Sequence, residues 1–149
     1  MKKIALAVMF LLAAPSVLWA FGPHDNECVE CHGMHTAEGG ALIGVQPFTP
    51  DNPNTGGAVQ DVSSLCLGCH STQGGILEVD LMRTHPIGII PKRAQVPRDN
   101  LSRDGTLTCA SCHDAHPSNP NYMYLRAEVT GPGDMGGLCG ICHAAMREQ

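Results

Sequence analysis

The sequence has little with which to build an ordinary hydrophobic core. Beyond residue 20 its aromatic residues are Phe21, Phe48, Tyr122 and Tyr124, and the whole 149-residue chain carries 17 Gly and 11 Pro. Such a composition buries too little apolar surface to offset the entropy of ordering the chain, which excludes a self-supporting globule. Something other than protein has to fill the interior. Basic charge is also scarce. Residues 21–149 hold seven basic against fourteen acidic residues, a formal charge of −7. That balance excludes nucleic-acid binding driven by electrostatics. Apolar runs of membrane-spanning length are missing after the N-terminus, and no cysteine stands outside a single repeated pattern.

What is present begins with an export signal. Lys2 and Lys3 precede an unbroken apolar run from Ile4 to Ala14, and Leu18-Trp19-Ala20 closes it with a small residue. This layout predicts a secretory signal peptide over 1–20, cleaved after Ala20, with residues 21–149 as the mature domain. An uncleaved anchor is the competing reading. Ile4–Ala20 lies at the lower limit for spanning a bilayer and contains Pro15. Cleavage leaves no membrane span and places the mature chain outside the cytoplasm, in the periplasm or at the cell surface.

The eight cysteines fall into four copies of one pentapeptide: Cys28-Val29-Glu30-Cys31-His32, Cys66-Leu67-Gly68-Cys69-His70, Cys109-Ala110-Ser111-Cys112-His113 and Cys139-Gly140-Ile141-Cys142-His143. This is the attachment signature of c-type haem. Two thiols three residues apart on a turn reach the two vinyl groups along one porphyrin edge, and the following imidazole meets the iron from the proximal side. Disulfides and zinc are the competing uses of eight cysteines. Neither requires a His after the second Cys four times over. The sequence therefore predicts four covalently bound c-type haems, with Cys28, Cys31, Cys66, Cys69, Cys109, Cys112, Cys139 and Cys142 as attachment points.

Histidines number eight, twice the number of motifs. His32, His70, His113 and His143 are the proximal iron ligands. His24, His35, His85 and His116 remain, one for the opposite face of each iron, which predicts bis-histidine coordination. Six-coordinate iron offers no open position to a substrate, which favours electron transfer over catalysis. The alternative distal ligands are Met34, Met82, Met123, Met135 and Met146. His35 and His116 each lie three residues after a proximal His, and on one helical turn such side chains share a face. Each therefore reaches a different iron, and the next in sequence is the economical choice: His70 for His35, His143 for His116. His85 lies between the motif pairs and reaches either remaining haem. His24 is separated from Cys28 by three residues, and rounding that ring would need nearly full extension, about 3.3–3.6 Å per residue. It serves another haem in the chain or one in a neighbouring molecule.

The motifs also form a repeat. A CxxCHxxH element is followed by a Leu-led CxxCH element twice, with first cysteines 38 residues apart at Cys28 and Cys66 and 30 apart at Cys109 and Cys139. The two halves are 21–85 and 86–149. On these motifs the sequence resembles the doubled-CXXCH multihaem cytochromes, which include soluble and outer-surface cytochromes of metal-reducing bacteria, and Thr84-His85-Pro86 is similar to distal-ligand segments there. The resemblance extends to cytochrome nanowires, in which an N-terminal histidine is donated across the subunit interface. It implies an electron-transfer protein rather than an enzyme: a filament subunit whose partners are copies of itself, with His24 on a neighbour's haem. The alternatives are a monomeric periplasmic shuttle exchanging electrons with other redox proteins, an electron-receiving subunit of a membrane complex, and a multihaem reductase.

The expected fold is mostly irregular, with short α-helices starting at the CxxCH motifs, little or no sheet, and haem as its core. Breaker-rich loops are expected over 44–62, 89–106 and 117–137. Four of the seven basic residues lie between Arg83 and Arg98. Propionate binding and a solvated loop are equally good readings of them.

Overall fold

The computed structural model describes residues 24, 28–33, 35, 42–73, 75–116 and 120–146. The expected signal segment lies outside the described residues, as does Met34. Helix is confined to short pieces: α1 (Cys28–Cys31), α2 (Ser63–Cys69) and α3 (Gly136–Cys142), with 3-10 turns at Arg98–Asn100, Cys109–Ser111, Tyr122–Tyr124 and Ala144–Met146. Strand pairing among the described residues is limited to isolated bridges. The fold is irregular chain with short helices at the motifs, as expected. Their starting points differ in part from expectation. α1 and the 3-10 turn of the third motif begin at the first cysteine, while α2 and α3 begin three residues earlier and end on the second cysteine. The third motif forms a 3-10 turn of three residues.

The two halves repeat in backbone detail. In the first, His32 bridges Ile43, the Gly33 amide donates to the Leu42 carbonyl (3.0 Å), and the Gly44 amide donates to the Cys31 carbonyl (2.9 Å). In the second, His113 bridges Leu125, the Asp114 amide donates to the Tyr124 carbonyl (2.8 Å), and the Arg126 amide donates to the Cys112 carbonyl (2.9 Å). Leu42 and Tyr124, the corresponding residues, both have positive φ, at 51° and 56°. The left-handed region is unfavourable for such side chains. Its occurrence at matching positions marks one backbone design used twice.

Apolar packing is sparse. Val59, Leu67, Ile87, Leu107, Leu125 and Val129 are the buried hydrophobic residues among those described. Val59, Leu67 and Ile87 form a cluster with Phe48, Val79, Leu81 and Cys109 against it. Asn52 sits beside this cluster, buried, and its amide donates to the Ile87 carbonyl (2.9 Å). Its side-chain oxygen accepts from the Asn54 backbone amide (2.9 Å). These bonds tie the proline-rich loop to the segment that presents His85. Gly68 is needed for close approach: a Cβ there would lie 2.4 Å from the Gln46 carbonyl oxygen. Every buried side-chain polar atom among the described residues is satisfied.

Candidate functional site

Each motif closes in the same way. The amide of its histidine donates to the carbonyl of its first cysteine: His32 to Cys28 (2.8 Å), His70 to Cys66 (2.9 Å), His113 to Cys109 (3.0 Å) and His143 to Cys139 (2.9 Å). This i to i−4 bond winds the pentapeptide into one turn, so both thiols and the imidazole leave the same short stretch of backbone. None of the eight cysteines is joined in a disulfide. Among the described residues no group of three or more His, Cys, Asp or Glu is arranged to hold a metal ion by itself, so zinc finds no ligand cluster here.

The imidazoles of two motif histidines are fixed in tautomer. Nδ1 of His70 lies 2.8 Å from the Ile76 carbonyl, and Nδ1 of His113 lies 2.9 Å from the Met123 carbonyl. A carbonyl only accepts, so Nδ1 carries the proton and Nε2 keeps its lone pair for a metal. Metal-ligating histidines are usually oriented in this way. Nothing in the amino-acid pattern marks these two carbonyls, because backbone groups carry no residue signature. The chain follows unusual paths beside both: φ is 51° at Met123 and 42° at Leu77.

Three of the remaining histidines each lie near the histidine of a motif. Ring centroids are 5.9 Å apart for His32 and His116, 6.0 Å for His24 and His70, and 6.3 Å for His85 and His143. Imidazoles bound to opposite faces of one metal lie about 6.3 Å apart between centroids, taking metal–nitrogen bonds of about 2.0–2.1 Å and about 1.1 Å from nitrogen to ring centre. The three pairs therefore have the separation that an axial pair needs, and the residues present fit a bis-histidine haem iron. The ring planes are nearly parallel in two pairs, at 8° and 14°, and crossed at 57° in the third. His35 and His113 are the two histidines the structure does not bring ring to ring.

Apart from His24, for which another haem of the chain was one of the two options, these neighbours differ from those expected from spacing. His116 faces His32, not His143, and His143 faces His85. His24 meets His70 of its own chain. The economical next-in-sequence rule failed because the chain folds its third motif back against its first. Its helical premise also fails, since α1 ends at Cys31 and His32 leaves in an extended bridge.

Thiols of successive motifs are neighbours. Cys66 and Cys109 are hydrogen-bonded, which with burial pushes the Cys66 thiol up. The bond from Cys66 and another from Ser63 bring Cys109 down to about 7. Burial and then the nearby Cys69 raise Cys31, and burial and then Cys142 raise Cys112. Tyr124 packs on His24 with ring centroids 5.5 Å apart. Of the basic residues between 83 and 98, Arg83 pairs with Asp80 (3.4 Å) and Arg98 donates to the Arg103 carbonyl (2.8 Å). Lys92 and Arg93 are exposed.

An irregular fold with little apolar core, paired cysteines on short turns and imidazoles facing one another across a metal-sized gap defines a haem-cored c-type cytochrome. The chain belongs to the doubled CXXCH motif family, which matches it over residues 22–75 and 102–148, about two thirds of its length. The matched segments contain all four CxxCH motifs and leave out His85. Comparison with curated proteins gave no match, and comparison with solved structures gave none. Membership makes this a protein that binds c-type haem covalently and transfers electrons.

Proposed function

We propose that the chain is an exported tetrahaem cytochrome that carries electrons as a self-contained shuttle, each iron held by two histidines of one chain. The observation that carries this reading is the set of three intrachain histidine pairs at 5.9–6.3 Å. His32, His70, His113 and His143 serve as proximal ligands, and His24, His35, His85 and His116 as distal ones. The eight cysteines anchor four haems. Bound haem supplies a one-electron iron couple. The protein's part is to fix ligand identity and to exclude water. The carbonyls of Ile76 and Met123 also orient His70 and His113. The hydrogen bond between thiols of motifs 2 and 3, with thiols of motifs 1 and 2 and of motifs 3 and 4 near enough to raise one another, supports a continuous path through all four sites.

Export rests on the basic and apolar N-terminal pattern, and among the described residues no helix is long and apolar enough to cross a membrane. Filament assembly through a donated His24 requires that histidine to leave His70. A reductase requires an iron with one histidine. The protein purified from an exporting host separates these readings. A haem assay returning four haems per chain, an all-low-spin ferric spectrum and a sedimenting species of one chain's mass are expected. Filaments in electron micrographs would overturn the shuttle. A high-spin iron in the native protein would overturn the closed coordination.

A further inference from the structure

The two halves are related by more than sequence. Within the first half, a histidine ahead of the first motif, His24, meets the proximal histidine of the second motif, His70. Taking the second half to begin just before His85, rather than after it, that histidine lies ahead of the third motif and meets His143 of the fourth. These two pairs are images of each other under exchange of the halves. The matched bridges His32–Ile43 and His113–Leu125 obey the same exchange. The pair His32–His116 is different, because it joins the first half to the second. Exchange of the halves carries His32 onto His113 and His116 onto His35. Those are the two histidines left after the six observed partners are taken.

We infer that the halves cross-ligate: His35 is the distal ligand of the iron held by His113, as His116 is of the iron held by His32. The irons of motifs 2 and 4 are then closed within a half, and those of motifs 1 and 3 are closed between halves. The centre of the molecule is a reciprocal clasp, and neither half completes its coordination alone. Loss of His35 opens a site in the second half although His35 belongs to the first.

This inference rests on the tetrahaem reading, and the test separates the two. The full-length holoprotein is prepared as wild type, His35→Ala, His113→Ala and the double variant, with high-spin ferric iron counted by low-temperature electron paramagnetic resonance. His35→Ala is expected to convert one iron per chain to high spin. Added to His113→Ala, it is expected to create no further high-spin iron, because both changes fall on one site, whether or not that site retains haem. A new high-spin iron in the double variant relative to His113→Ala overturns the clasp, as does an unchanged low-spin spectrum for His35→Ala. The pair His32→Ala and His116→Ala, whose contact is observed, serves as the reference cycle. If the His113 variants are not recovered, proton NMR of the reduced wild type decides. Rings of His35 and His113 with cross-relaxation to the same haem support the clasp, and rings on different haems overturn it. A colourless product fails the tetrahaem reading itself.

Discussion

Asn52 is the residue whose loss should be felt furthest from where it sits. It is 3 % exposed, and its amide holds the Ile87 carbonyl two residues beyond His85. Asn52→Ala removes that donor beside a residue that is itself 8 % exposed, leaving a carbonyl water reaches poorly. An orphaned buried acceptor costs about 1–3 kcal/mol. The Asn54 amide also loses its acceptor, but it is exposed and turns to water, adding about 0.5–1 kcal/mol. The combined cost of about 1.5–4 kcal/mol falls on the segment presenting His85, and it favours local opening there by about 12- to 700-fold. Guanidinium unfolding should shift by that free energy. In the reduced protein, carbon monoxide should gain access to one site, the one His85 shares with His143, while the other three stay closed. Equal uptake at several sites, or none together with wild-type stability, would refute the assignment of Asn52 as the anchor of His85.

Gly68→Ala forces a Cβ to within 2.4 Å of the Gln46 carbonyl oxygen, and overpacking at about 1–3 kcal/mol outweighs a helix gain of about 1 kcal/mol. Gly137→Ala meets its nearest atom, the Glu128 carbonyl oxygen, at an ordinary 3.6 Å and should stabilise by up to about 1 kcal/mol, so the two variants move in opposite directions in denaturant titrations. The Asp104 carboxylate accepts bonds from the Ser102 and Thr106 hydroxyls and is held below the usual carboxylate value of 3.8. With the folded value depressed, its support of the turn is present at neutral pH and is lost as pH falls through that lower value; a carboxyl NMR titration with a midpoint at or above 3.8 contradicts this. The near-parallel pairs His24–His70 and His32–His116 should give one class of low-spin ferric signal, and the crossed pair His85–His143 another. A single class would show that the ring planes differ from those described.

Chemistry was more legible than connection. Four CxxCH pentapeptides and a matched count of histidines pointed to the cofactor and to its ligand types, because covalent attachment demands fixed spacing. The scarcity of aromatic residues and the many Gly and Pro likewise pointed to an irregular fold. Which histidine faces which was not legible, since spacing along the chain says little about contacts made where the chain folds back. His116 reaches His32 across 84 positions. The premise that three-residue spacing meant one helical turn failed at His32, which is extended. The left-handed backbone at Leu42, Leu77, Met123 and Tyr124 has no sequence signature either, because the usual sign of such a conformation is glycine. In the sequence Asn52 is one polar residue of the breaker-rich loop over 44–62. Its role as a buried anchor depends on Ile87, which lies 35 residues away.

The placement of the small apolar cluster follows from the same pairing. On the proposed ligation, the distal histidine ahead of the first motif, His24, stands four residues before Cys28, and the one ahead of the third, His85, stands 24 residues before Cys109. Lengthening a tether sixfold raises the entropic cost of holding its end in place by about 1.6 kcal/mol. The second half therefore needs something extra to keep its histidine in position. Ile87, two residues after His85, packs on Val59 and Leu67, each buried side chain contributing about 1.5–3 kcal/mol. The Gly88 amide donates to the Leu107 carbonyl (2.7 Å) and the Leu107 amide to the Ile89 carbonyl (2.9 Å), so the far end of the tether is pinned just before Cys109. Protein core appears where a ligand sits on a long tether.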